Sequence, residues 1–240
     1  MTRLPRLVFA ALVAVTVAPT AARSDPWLPL DVGNRWEYGG TGGAHQVETI
    51  TGQRIVRGRV VSVKSYDEGP DAGLENYWLL DADGSVLLAG FMRPSDGIAW
   101  AYEPPIRVLP VPPVVGPQPF QNVVVHDLFT DAVVFNASYR FDVLEDVMLT
   151  VPAGSFHAFG VGQAIPLPGP GAGSRPTLAA DGRWLGAGAP SIYILEATDW
   201  FTEGVGEVQY RSDVLYQLLG FGRPTPTVHS SWSAIKRLYR

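Results

Sequence analysis

The sequence predicts a mainly β protein, an antiparallel sheet curved into a half-barrel or open barrel and closed off by a short C-terminal helix. Three observations predict it. First, 26 glycines and 21 prolines cut the chain into short segments. Second, β-branched and aromatic residues recur at every other position between those breaks, which is the period of a strand. Third, hydrophobic residues make up 46% and aromatic residues 11%, but charged residues only 17%. That composition suits a packed core and leaves little for long solvated helices.

The opening residues 1–22 read as an export signal. Arg3 and Arg6 form the basic start, residues 7–17 an apolar run too short to cross a bilayer, and Ala21 and Ala22 the small residues before a cleavage point. Cleavage after Ala22 leaves 218 residues, 23–240, expected to form a single β-rich domain that is periplasmic or secreted and has no membrane-spanning segment. Its formal charge moves from −5 to −7 with the loss of the two arginines, so nucleic acid would be repelled. There is no cysteine. Disulfides and thiolate metal sites are excluded, packing must supply the stability, and a bacterial envelope protein fits this best.

The first strand is expected at Arg35-Trp36-Glu37-Tyr38, after a turn at Gly33-Asn34, with Trp36 and Tyr38 on one face and Arg35 and Glu37 on the other. Glycines between 39 and 43 break it. Two strand-like runs follow, 45–50 and 54–63, with Gly52 or Gly58 able to bend them. Val47 alternates with Gln46 and Glu48, as in a half-exposed strand. The clearest hairpin joins 76–80 to 85–91 through Asp83-Gly84. Tyr77 and Leu79 share one face and Trp78 and Leu80 the other, so this part of the sheet should be covered on both sides.

Residues 103–119 carry seven prolines, which disfavours a helix or a central strand and predicts an extended, polyproline-like crossing packed along the domain. Strands resume at 123–125, 133–135, 137–144, 147–151 and 156–165, with Glu145-Asp146 read as a solvated hairpin turn. Val147, Leu149 and Val151 alternate with Met148 and Thr150 until Pro152-Ala153-Gly154 ends the run. Residues 166–176 read as a surface loop. The last strands are expected at 191–197, 205–211 and 214–219. From about Trp232, capped by Ser231, an apolar stripe of Trp232, Ile235, Leu238 and Tyr239 predicts the helix.

Catalytic patterns are thin. The four histidines form no metal-binding spacing; His126, Asp127 and Asp131 are the densest candidate ligands, but adjacent strand residues point to opposite faces and a polar turn between Val125 and Leu128 is the preferred reading. Ser155 and His157 would share a strand face, but no nucleophile elbow surrounds them. Glu145-Asp146, or Asp142 with Glu145, could serve a glycosidase in principle. Residues 39–43 lack the lysine of a phosphate loop. No cofactor is expected. Trp78, Trp100 and Trp200, each in or beside a strand, are the residues expected to wall a ligand groove.

Three segments, Pro29-Leu30-Asp31-Val32-Gly33-Asn34-Arg35-Trp36-Glu37-Tyr38, Val151-Pro152-Ala153-Gly154-Ser155-Phe156 and Trp200-Phe201-Thr202-Glu203-Gly204-Val205-Gly206-Glu207-Val208, occur in the order seen in a loose group of uncharacterised bacterial exported β-rich proteins, which the chain resembles from about residue 29 to 211. The resemblance implies an architecture similar to periplasmic lipoprotein carriers, whose curved sheets hold an apolar ligand against a helix. It carries no catalytic residues. The expected function is therefore non-enzymatic, binding an apolar small molecule or an envelope protein in a curved-sheet groove. The alternative is an extracytoplasmic hydrolase acting on glycans with carboxylate or histidine chemistry.

Overall fold

A computed structural model describes residues 25–167, 177–178, 184–185, 191–211 and 214–223. Twelve strands close into an antiparallel barrel: β1 (Arg35–Gly40), β2 (His45–Val56), β3 (Arg59–Glu68), β4 (Glu75–Leu80), β5 (Val86–Arg93), β6 (Ile98–Leu109), β7 (Gln121–Asp127), β8 (Val133–Val151), β9 (Gly154–Leu167), β12 (Ser191–Thr202), β13 (Gly206–Arg211) and β14 (Leu215–Gly222). Two short strands, β10 (Thr177–Leu178) and β11 (Trp184–Leu185), pair separately. Among the described residues the only helical turns are two of the 3-10 type, at Thr41–Gly43 and Pro94–Asp96. The expected C-terminal helix, the signal segment and the loop at 168–176 lie outside the described residues.

The half-barrel or open barrel expected from the sequence is corrected to a closed one. β1 pairs with β14 as well as with β2, in a register that sets Trp36 opposite Phe221 and Tyr38 opposite Leu218. Closure gives every barrel strand a neighbour on both sides. The join is also packed: Trp36, fully buried, stacks on Phe221 at 5.2 Å and donates its indole N–H to the Val205 carbonyl at 2.7 Å.

Local chemistry explains most of the turns. Arg57 and Gly58 both take positive φ and let β2 double back into β3, so the run 54–63 is a hairpin rather than one strand. At the β4–β5 turn, Gly84 supplies φ +88° and the Asp83 carboxylate accepts the Ser85 N–H, as the Asp83-Gly84 signal requires. Glu145-Asp146 is not a turn. It sits at a bulge inside the 19-residue β8, where one extra residue between Val143 and Glu145 bends the strand.

The proline-rich segment divides in two. Residues 103–109 continue β6 through Pro104 and Pro105, and residues 110–120 leave the ladder, pairing with a strand at the single Gly116–Val143 bridge to β8. The two prolines are tolerated because β5 and β6 slip register there: Leu88 pairs with Ile106 but Gly90 with Ala101, so neither proline must donate to the ladder. Gly90 fits this bulge because a β-carbon on it would lie 2.2 Å from the Trp100 carbonyl oxygen.

The sheet is covered on both faces around β4, as its alternation predicts. Trp78 and Leu80 face the main core, while Tyr77 and Leu79 join an outer cluster with Val56, Val61 and Val63. The tip of the β2–β3 hairpin curls over that outer face and is tied there by Arg57 and Arg59 to Glu103, at 3.3 and 3.4 Å, and by Arg57 to Asp131.

Candidate functional site: a lumen that is acidic at one side and aromatic at the other

Because side chains alternate across a strand, fixing Trp36 and Tyr38 inside also fixes their cross-strand partners Glu48 and Gln46 inside. Both are buried, as is Val47 between them, which corrects the half-exposed reading of this strand. The same logic places Ser62 and Lys64 of β3 inward while Val61 and Val63 face the outer cluster.

Lys64 is 1% exposed and sits among carboxylates from three other strands. Its ammonium pairs with Glu48 and with Glu207 at 3.2 Å, and lies over the rings of Trp36 and Tyr66 at 5.5 and 5.7 Å. Gln46 donates to the other Glu48 oxygen at 2.7 Å. Desolvation works against the Lys64 charge, but Glu48 and Glu207 outweigh it and hold the pKa above the usual lysine value. Burial pushes the Glu207 carboxyl up to about 8 against the opposing pull of Lys64, with Asp199 and Glu48 adding to the rise. Burial likewise pushes Asp199 up to about 7, again opposed by Lys64 and reinforced by Glu48.

These groups form one side of a cavity of about 270 Å³ inside the barrel. Glu48, Asp199 and Glu207 line it, and the facing wall is aromatic and aliphatic: Trp78, Phe91, Tyr102, Ile106, Tyr139 and Phe141. Asp71 and Arg93, paired at 3.4 Å and partly exposed, stand where the cavity meets solvent. Four carboxyl groups thus oppose two cationic ones, Lys64 and Arg93. The Trp78 indole N–H and the Tyr210 hydroxyl, both on residues lining the cavity, have no hydrogen-bond partner among the described residues.

The raised carboxyl pKa values have a consequence for stability. In the unfolded chain Asp199 and Glu207 release their protons near pH 4, whereas in the barrel they retain them up to about 7 and 8. Between those limits the folded state binds more protons, so this pair makes stability fall as pH rises from about 4 to 8 and level off above. The slope is at most about 1.4 kcal/mol per pH unit for each proton held. Urea titrations at intervals across that range are expected to show the fall, and Asp199→Asn with Glu207→Gln to flatten it; an unchanged slope in the double variant contradicts the assignment.

Of the three tryptophans expected to wall a groove, Trp78 lines the cavity. Trp100 packs edge-on against Phe91 at 5.4 Å and Phe135 at 5.0 Å, within the core. Trp200 donates to Glu145 at 2.7 Å, and like Trp100 it is not part of the cavity wall. His126, Asp127 and Asp131 do meet at the β7–β8 turn, where one ligating atom of each side chain is already engaged. Asp127 accepts from the backbone N–H of Phe129 and of Thr130 and from the Thr130 hydroxyl, Asp131 pairs with Arg57, and His126 Nδ1 contacts the Asp131 carbonyl at 3.0 Å. Among the described residues no three His, Asp or Glu side chains converge as a metal site. Ser155 bonds Thr150 at 2.9 Å and His157 pairs with Asp146, so Ser155 and His157 share an exposed face without forming a catalytic pair.

Sequence reasoning missed the lumen cluster. Gln46, Glu48 and Lys64 carry the usual signature of a solvated strand face, and only barrel closure turns that face inward. The one signal available was that Val61 and Val63 form a second apolar face, which left Lys64 opposite them to point somewhere other than that core.

No protein family model matches the chain, and no curated protein matches it. Two solved structures are similar to it at a distance. One is a provisionally named lipoprotein of Parabacteroides distasonis, 10% identical with a TM-score of 0.36. The other is a provisionally named exported protein with a YmcC-like fold from Bacteroides fragilis, 9% identical with a TM-score of 0.34. Each match covers 83% of this chain and all of the other. At those scores the likeness carries no argument about the site.

Proposed function

We propose that the protein is a non-catalytic, extracytoplasmic binding protein that holds a compact amphiphile in its barrel lumen, with the apolar body against the aromatic wall and a cationic or hydrogen-bonding end at the carboxylate side. The observation that carries this reading is the lumen cavity itself, enclosed by aromatic rings on one side and by Glu48, Asp199 and Glu207 on the other. Its volume lies just below the roughly 300–1,000 Å³ of small-molecule pockets, which favours a small ligand. A bound cation would draw Asp199 and Glu207 into their ionised forms, and the ring faces also favour a cation. The export reading of residues 1–22 supports work outside the cytoplasm.

The test uses three probes with one six-carbon tail: hexylammonium, hexanol and hexanoate. Thermal melts and calorimetry are expected to show hexylammonium binding roughly tenfold more tightly than hexanoate, with hexanol between them. If none of the three shifts the melting temperature at millimolar concentration, the binding reading is overturned. Native mass spectrometry of the purified protein reads out any ligand it already carries.

One observation favours the hydrolase alternative: Asp199 and Glu207 hold protons near neutral pH inside a cavity, as an acid catalyst must. That reading requires turnover of a glycoside that is lost in Asp199→Asn. Pairing of Glu207 with Lys64 argues for the binding role instead.

A further inference from the structure

The barrel wall has a seam between β6 and β7. Main-chain pairing of these strands covers Trp100 to Glu103 against Val124 to Asp127 and then stops. Beyond it, a single side chain takes over: Gln121 accepts the Arg107 N–H at 2.7 Å and donates to the Arg107 carbonyl at 2.9 Å, standing in for a missing strand partner. The chain that could have filled the gap, residues 110–120, contains Pro110, Pro112, Pro113, Pro117 and Pro119, none of which can donate to a ladder. It is pinned across the outside at separate points, by the Gly116–Val143 bridge, by the Gln118 N–H to Asp142 at 2.9 Å, and by the Val111 N–H to Ser85 at 3.1 Å.

Outside this seam lies a cleft of about 400 Å³, walled by Pro104, Pro105, Pro110, Pro119 and Leu87, with Arg107 on its rim. Phe141 of β8 lines this outer cleft and also lines the lumen cavity. At 6% exposure it is the partition between them.

We infer that the outer cleft is a binding vestibule and lateral port of the lumen, where the apolar tail of a small amphiphile docks among the prolines and passes inward when Phe141 rotates and Gln121 releases Arg107. This rests on the lumen-binding reading for its ligand, but the route itself is physical and can be tested without one. The seam suits the role because, between the Glu103–Val124 pair and the Gly116–Val143 bridge, its closure at Arg107 depends on one side-chain amide and one ring, and both can move without breaking the ladders on either side. The four prolines, Leu87 and Phe141 offer an alkyl chain a path between polar walls, and both arginines of the cleft are already neutralised, Arg59 by Glu103 at 3.4 Å and Arg107 by Asp81 at 3.0 Å.

The chain has no cysteine, so a single introduced thiol reports access cleanly. Ile106→Cys places one on the lumen side of the seam and Leu218→Cys one at an equally buried position on β14. Labelling with a small methanethiosulfonate reagent is measured in each, with and without Gln121→Ala, and separately with Phe141→Ala. The expected result is a roughly tenfold faster reaction at Ile106→Cys in the seam variants, with Leu218→Cys unchanged. Equal acceleration at both thiols means general loosening and overturns the port, as does no acceleration at either. In stopped-flow measurements with hexylammonium, Gln121→Ala should raise association and dissociation rates together while leaving affinity within about twofold. Binding with unaltered rates overturns the port while the lumen reading stands; faster labelling with no probe bound overturns the lumen reading while the port stands.

Discussion

Replacing Lys64 with methionine is expected to destabilise the protein by about 3–5 kcal/mol near pH 7.5, as breaking a buried charge cluster does when one partner is removed. The size follows from what remains. Methionine fills much of the space, but Glu48 and Glu207 lose their counter-ion while staying buried, with Asp199 close enough to couple to them. The defect should depend on pH in a definite direction. Without the ammonium the carboxyl groups must take up protons to stay folded, so acid relieves the variant and alkali aggravates it. Urea midpoints for wild type and Lys64→Met should converge towards pH 5 and diverge towards pH 8. Adding Glu48→Gln should recover part of the loss, because it removes a charge left unpaired. A defect that is the same at pH 5 and pH 8 means the loss is one of packing and the electrostatic account is wrong.

The second large effect is expected at the barrel join. Trp36→Ala should cost about 3–5 kcal/mol, the range for truncating a fully buried tryptophan. Two losses combine: the ring stacked on Phe221 leaves a void, and the Val205 carbonyl loses its indole donor. Trp36→Phe keeps most of the packing and should cost about 1 kcal/mol, close to the net worth of one hydrogen bond plus a smaller ring. Because Trp36 lies where β1 meets β14, hydrogen exchange should show amides of β14 losing protection before those of β4 and β5. Uniform loss of protection would mean that the join is no weaker than the rest of the wall.

The two variants differ instructively in how far the sequence foretold them. Trp36 was legible: alternation with Arg35 and Glu37 places it on the inner face whatever the sheet does next. Tyr77 with Leu79 against Trp78 with Leu80 was legible for the same reason, and so was the Asp83-Gly84 turn, whose conformation is set by neighbouring residues. Lys64 was not. A lysine between Ser62 and Tyr66, backed by Val61 and Val63, looks like the wet side of a strand, and nothing local contradicts that. The strand path through Pro104 and Pro105 was hidden because their tolerance depends on a register slip with β5. Glu145-Asp146 looked like a turn, yet the bulge that absorbs it depends on β9 running alongside.

What the sequence determined by itself is the alternation within strands, tight turns with a strong local signal such as Asp83-Gly84, and the abundance of aromatic material to bury, because all of these follow from interactions between residues close along the chain. What only the tertiary structure decided is which face of each strand became the interior. That choice turned on the pairing of β1 with β14, nearly the whole described length apart, which wrapped a polar face around a cavity. Inside it Lys64 and the carboxylates share one low-dielectric space and set each other's charge.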